Sequence, residues 1–154
     1  MKKITPFLWF DTQAEEAMNF YVSLFKNSKV LGVSRGPDGN AFTVSFELDG
    51  QEFMGLNAGP QFKFNEAVSM YVNCEDQAEV DFFWNALIAD GGEESMCGWC
   101  KDKFGLWWQI VPKQLGELMG DPDPAKSGRV MDAMLKMKKI IVADLQRAHD
   151  GVSS

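Results

Sequence analysis

From Ile4 the chain runs apolar and aromatic as far as Phe10, then meets Asp11-Thr12, a pattern that predicts a buried strand. Asp11 or Thr12 can cap the helix behind it by accepting from its free N–H groups. In that helix Ala14, Ala17, Met18, Tyr21, Leu24 and Phe25 recur at spacings of three and four, one continuous apolar stripe. Val30 to Ser34 predicts a strand, and Gly36-Pro37-Asp38-Gly39-Asn40 is dense in turn residues. Phe42, Val44, Phe46 and Leu48 then alternate with Thr43, Ser45 and Glu47, the period of a half-buried strand. Asp49-Gly50 marks a hairpin into a further strand, Gln51 to Asn57.

After the loop from Ala58 to Asn65 the pattern begins again. Ala67 to Cys74 predicts a strand, and Glu75-Asp76 supplies a second helix cap. Val80, Phe83, Trp84, Leu87 and Ile88 follow at helical spacing until Gly91-Gly92 ends the helix. Met96 to Lys101 and Phe104 to Pro112 predict two strands around Asp102-Lys103. Gln13-Ala14-Glu15 and Gln77-Ala78-Glu79 are identical and lie 64 residues apart. At that offset Asp11 matches Glu75, Phe20 matches Trp84 and Leu24 matches Ile88, which points to a duplicated strand–helix–strands unit. Lys113 to Ser154 predicts helices: Asp123-Pro124 is a cap with proline in the first turn, and Val142 to Ala148 makes a last short helix. Val130, Met131, Met134 and Leu135 form a stripe that packs either within the chain or between chains.

Length then sets the organisation. The 154 residues fit one domain, 1–154, with repeat one at 1–60, repeat two at 66–113 and a helical tail at 114–154. The expected class is α+β, two βαβββ repeats forming a cupped mixed sheet with a C-terminal helical extension. A net charge of −7 and a pI near 4.7 argue against nucleic-acid and anionic-membrane partners, which need a basic face. No apolar run approaches the roughly 20 residues of a membrane span, and no apolar signal region follows Lys2-Lys3, so a cytoplasmic location is expected. Three cysteines, an odd number, fit a reducing compartment. The single histidine, His149, excludes a Ser-His-Asp triad, a His-rich zinc site and a two-His iron site.

Cys97-Gly98-Trp99-Cys100 is a CxxC motif without a second pair to complete a zinc site, since only Cys74 and His149 remain. Its flanks read as strand and turn, which would point the two thiols to opposite faces, whereas a redox dithiol wants a helix N-terminus. On the last strand Leu106, Trp108 and Ile110 share one face, while Trp107, Gln109 and Val111 share the other. Trp9, Trp99, Trp107 and Trp108 are either core residues or, for Trp99 and Trp107, walls on which a flat ligand stacks. Glu47, Glu52 and Glu66 could serve as acid or base or be plain surface. No glycine-rich loop follows a strand in a parallel α/β pattern, so nothing marks a site for S-adenosylmethionine.

Ile4-Thr5-Pro6-Phe7-Leu8-Trp9-Phe10, Ala17-Met18-Asn19-Phe20-Tyr21, Val44 to Gly50, Asn73-Cys74-Glu75-Asp76, Cys97-Gly98-Trp99 and Lys101 to Pro112 resemble the PhnB-like branch of the vicinal oxygen chelate superfamily. This is the glyoxalase and bleomycin-resistance fold, and members of the branch often carry the label demethylubiquinone 3-methyltransferase. The resemblance extends into the tail, at Asp121-Pro122-Asp123-Pro124 and Met137-Lys138-Lys139-Ile140. It implies a cupped sheet from each repeat around a pocket where classical members hold a divalent metal on four strands. Aligned on it, Pro6, Gly55, Ser69 or Met70 (by a one-residue choice of register) and Gln109 take the ligand positions. Of these only Gln109 binds a cation well, so no metal and no cofactor is expected. The missing ligands and the aromatic candidates point to a protein of this fold that binds a small molecule in a metal-free aromatic pocket lined by Gln109, Trp107, Trp99, Cys97, Asn57 and Met70, with no catalytic residue assigned. The alternative is a metal-independent enzyme acting on a small organic substrate. The resemblance, together with the tail stripe of Val130, Met131, Met134 and Leu135, leads to the expectation of a homodimer.

Overall fold

The computed structural model describes residues 2–152, which divide into two compact units that meet between Phe64 and Asn65 in sequence. In the first unit β1 (Phe7–Phe10), α1 (Ala14–Leu24), β2 (Lys29–Arg35), β3 (Ala41–Leu48) and β4 (Gln51–Asn57) build a mixed sheet in the order β1-β4-β3-β2. β1 runs parallel to β4, and the remaining pairs are antiparallel. Strand alternation turns Leu8, Phe10, Val44, Phe46, Leu48 and Phe53 to one face, all buried. The apolar stripe of α1 (Ala14, Ala17, Met18, Tyr21) covers that face, and the Phe46 and Phe53 rings stack at 5.5 Å.

Three local expectations change here. Pairing in β1 starts at Phe7 against Met54, so Ile4 stays outside the ladder and is exposed. Neither Asp11 nor Thr12 caps α1; Ala14 N–H donates instead to Asn57 Oδ1 at 2.8 Å, from the end of β4. Phe42 is 52% exposed, because the β2–β3 ladder steps from Ser34↔Thr43 to Arg35↔Ala41 and leaves Phe42 as the extra residue of a bulge. Asp49 and Gly50 have φ of 47° and 81°, the left-handed pair that a two-residue hairpin turn requires.

The second unit repeats the topology. β5 (Ser69–Cys74), α2 (Gln77–Ile88), β6 (Glu93–Glu94), β7 (Trp99–Lys101) and β8 (Trp107–Pro112) form a sheet in the order β5-β8-β7-β6, with β5 parallel to β8. The duplication read from the 64-residue offset is therefore a duplication of architecture. Asp76 caps α2 by accepting from Glu79 N–H at 2.9 Å, while Glu79 accepts from Glu75 N–H at 2.7 Å. β7 is shorter than expected, since Cys97 and Gly98 form a turn with φ of 60° and 84°. β8 begins only at Trp107, because Asp102 closes the preceding turn.

Three helices follow, α3 (Lys113–Met119), α4 (Pro124–Met134) and α5 (Val142–His149). Asp123 caps α4 with Pro124 in its first turn. Val130, Ile140 and Leu145 pack with Val111 of β8 and Leu115 of α3, all buried. The tail stripe is thus split: Val130 and Met134 serve this cluster, while Met131 and Leu135 are 37% and 54% exposed.

Candidate functional site

The register of the second sheet sorts its side chains. Met70 pairs with Trp108 and Trp108 with Cys100; Trp108 and Cys100 are buried on the face toward α2. Tyr71, Gln109 and Trp99 pair across three strands on the opposite, open face, and Ser69, Trp107 and Lys101 form the neighbouring row. Gln109 Nε2 donates to Ser69 Oγ at 2.9 Å. Lys101 Nζ stands 5.9 Å from the Trp107 ring centroid and 3.3 Å from the Glu93 carboxylate. Tyr71 is 60% exposed, and the other members of the two rows are half-buried. The result is a platform of three aromatic rings around one oriented amide, with a cation at its edge.

Gln109, Trp107 and Trp99 thus share one face. Met70 does not join them: the register gives Ser69 to the open face and Met70, paired with Trp108, to the covered side, which corrects Met70 as a residue of the aromatic face. Cys97 lies in the turn just before Trp99, half-buried, with its N–H donating to Met137 O at 2.7 Å. Asn57 belongs to the first unit, where both ends of its amide are engaged, Oδ1 by Ala14 N–H and Nδ2 on Ala41 O at 3.1 Å. It borders an open cleft of about 830 Å³ with Thr12, Arg35, Asp38 and Phe42, in which Arg35 is held by Glu15 at 2.6 Å.

The alignment of Gly55 with a ligand position is also corrected. Gly55 pairs with Leu8 and Val44 on the covered face, where an added Cβ would meet the Leu8 carbonyl, the Phe10 ring and Val44 at 3.3 Å each. The open-face residues of β4 are Glu52, Met54 and Leu56, with Phe7 and Trp9 of β1 on one side and Ser45 and Glu47 of β3 on the other. The carboxylates of that face are the cross-strand pair Glu47 and Glu52, and the second sheet offers the neutral oxygens of Ser69, Tyr71, Asn73 and Gln109 with one carboxylate, Glu93, already paired with Lys101. Among the described residues no group of three His, Cys, Asp or Glu side chains converges. The divalent metal that the fold family implies does not fit this donor set.

Two of the three thiols are held protonated by burial. Burial pushes Cys100 up to about 12, with the Asp102 and Glu94 charges adding to it, and burial together with Glu79 does the same for Cys74. Neither is a thiolate near neutral pH, and all three cysteines are free.

Asp102 escaped the sequence reading. It is 1% exposed, and it accepts from Phe104 N–H at 2.9 Å, Leu106 N–H at 3.0 Å and Trp108 Nε1–H at 2.9 Å. Asp102-Lys103 reads only as a turn in sequence, because nothing in the pattern shows that the carboxylate turns inward. Tyr71 escaped as well, although strict alternation from Ser69 places it on the face of Gln109.

A duplicated βαβββ unit with parallel outer strands defines a protein of the glyoxalase, or vicinal oxygen chelate, fold class. Within that class the chain belongs to the 3-demethylubiquinone-9 3-methyltransferase (PhnB-like) family, whose model matches residues 2–111. It is similar to the PhnB protein of Bacillus cereus, at 37% identity and a TM-score of 0.68, over 72% of this chain and 99% of that one. A Pseudomonas aeruginosa protein of 19% identity shares the fold at a TM-score of 0.60, over 73% of this chain and 98% of its own. A glyoxalase/bleomycin resistance protein from Albidiferax ferrireducens gives 14% identity and a TM-score of 0.46, over 70% and 95%. No curated protein matches. The family match ends before α3, so the helical tail lies beyond it.

Proposed function

We propose that the chain binds a small, flat organic molecule on the open face of its second sheet, without a metal. The observation that carries this reading is the cross-strand row Tyr71–Gln109–Trp99, flanked by Trp107 and Lys101. Aromatic rings offer stacking worth about 0.5–1.5 kcal/mol each, and the amide supplies direction by bonding a ligand oxygen or hydroxyl. Lys101 favours a ligand that carries partial or full negative charge near Trp107. A hydroxylated quinone or phenol has these features, and the family's name points to the same chemistry. Methyl transfer from S-adenosylmethionine finds no support: β1 joins α1 through Asp11-Thr12-Gln13 and β5 joins α2 through Glu75-Asp76, neither containing glycine.

The test is titration of the full chain with a soluble hydroxybenzoquinone, followed by tryptophan fluorescence and native mass spectrometry. A 1:1 complex from which the ligand is recovered unchanged supports the reading, and Trp99→Ala and Gln109→Leu should each weaken it about tenfold. Absence of binding overturns it. Steady conversion of the ligand replaces it with the metal-independent enzyme, in which Gln109 orients a substrate oxygen and Cys97 or a carboxylate carries out the proton or nucleophile chemistry.

A further inference from the structure

The C-terminal helices lie outside the family match yet hold the turn that leads into Trp99. Cys97 and Gly98 donate their N–H groups to the Met137 and Lys138 carbonyls at 2.7 and 2.8 Å. Gln77 of α2 accepts from Val142 N–H at 2.7 Å and donates to Ile140 O at 3.1 Å. Lys139 pairs with Asp81 at 3.1 Å. Beyond this strap, α5 is anchored by the buried Leu145 and by a polar cluster at its C-terminal end.

The centre of that cluster is His149, whose side chain is 14% exposed. Its Nε2 lies 2.7 Å from Asp121 Oδ2, in the α3–α4 connection, and its Nδ1 lies 3.0 Å from Asp150 Oδ1. Ionised carboxylates only accept hydrogen bonds, and a neutral imidazole has one N–H to give. Only the imidazolium satisfies both. Arg129 of α4 donates to Ala148 O and His149 O at 2.8 Å each, so two cations meet the carbonyl end of α5, where the helix dipole favours them. Arg129 and Lys126 are the opposing positive charges on α4, Lys126 acting on both Asp121 and Asp150. On α5 itself Arg147 is paired with Asp144.

We propose that His149 is a pH-responsive clamp that fastens α5 to the α3–α4 connection and so keeps the helical tail seated on the second sheet. The hydrogen bonds to Asp150 and then to Asp121 raise the imidazole's pKa above its ordinary value. A raised folded-state pKa means that the clamp is complete below about pH 6.5 and is lost as pH climbs through the folded value. The proposal concerns the tail alone and stands whether or not the open face of the sheet takes a ligand.

Two measurements on the full chain test it. Proton NMR titration of the lone histidine should give a pKa above 6.5, and Asp121→Asn should lower it. Hydrogen exchange at the α5 amides and at Cys97 and Gly98, corrected for intrinsic rates, should speed up between pH 6 and pH 9, up to about tenfold for each unit by which that pKa exceeds 6.5. In His149→Gln these amides should exchange at the wild type's high-pH rate throughout. A histidine that titrates at or below 6.5 overturns the proposal, as does a pH dependence of tail exchange that survives in His149→Gln.

Discussion

Asp102 shows how much one buried side chain can organise. Its two oxygens accept from the backbone of the β7–β8 turn and from the Trp108 indole, so the turn, the strand and the covered face of the sheet share one anchor. Removing the carboxylate strands three donors, two of them buried, the Leu106 N–H and the Trp108 indole. Asp102→Ala should therefore cost about 3 kcal/mol, read as a lower urea midpoint with an unchanged slope. Asp102→Asn keeps an acceptor oxygen and should cost less. The thiols separate by the same logic of burial. Cys74 and Cys100, both pushed up to about 12, should resist alkylation at pH 7.5 in the folded protein, while half-buried Cys97 reacts. Mass spectrometry after brief iodoacetamide treatment should find one adduct per chain, at Cys97; modification of Cys100 before Cys97 would contradict the assigned faces.

At the scale of elements, what the sequence disclosed was periodicity, and what it hid was every contact distant in the chain. The stripes of α1 and α2, the alternation through β3 from Val44 to Leu48 and the Asp49-Gly50 turn are local patterns, and they appear in the structure where the pattern put them, whereas Phe42 is displaced by a bulge that only the pairing with β2 reveals. The face shared by Trp107 and Gln109 follows from period-two alternation alone. The cap of α1 does not: Asp11 and Thr12 are the local candidates, but the acceptor arrives from Asn57, 43 residues on. Gly55 and Met70 went astray for a related reason, since a slip of one position in an assumed register moves a side chain to the other face of the sheet. β6 was invisible because Glu93-Glu94 is a two-residue charged edge with no apolar signal. The Asn57 staple gives the sharpest test at this scale. Asn57→Ala frees the first amide of α1 and the Ala41 carbonyl together, and should destabilise the protein by about 2 kcal/mol in thermal or urea unfolding. Asn57→Asp keeps the acceptor for Ala14 and should recover part of that loss.

For the whole molecule, two repeats of one topology have diverged in what their open faces carry. In the first sheet Glu47 sits opposite Glu52 and Ser45 opposite Met54; in the second, Trp99 sits opposite Gln109 and Lys101 opposite Trp107. No helix among the described residues is long and apolar enough to cross a membrane. A homodimer is proposed from the family resemblance and from Met131 and Leu135, which the tail's own cluster leaves outside. Sedimentation equilibrium should then return twice 17.3 kDa, and Met131→Glu with Leu135→Glu should give folded monomers. Truncation after Leu118 is a poorer probe, since it strips the cover from Val111 and Leu115 and should unfold the second unit. The donor inventory bears on the last expectation. A tightly held Zn²⁺, Mn²⁺, Fe²⁺ or Ni²⁺ needs three or more anionic or imidazole donors at one point. The open faces of the two sheets instead present the Glu47–Glu52 pair beside Met54 and Leu56 in one, and the neutral Ser69, Tyr71 and Gln109 with the Lys101-paired Glu93 in the other, and among the described residues no three such donors converge. The one imidazole is committed to Asp121 and Asp150. Protein purified without an affinity tag should therefore carry far less than one equivalent of any of these metals by elemental analysis. Its melting temperature should not move when EDTA is added. One metal per chain, released by chelator with a fall in melting temperature, would mean that donors from elsewhere in the chain converge in solution and that the metal-free reading of the site is wrong.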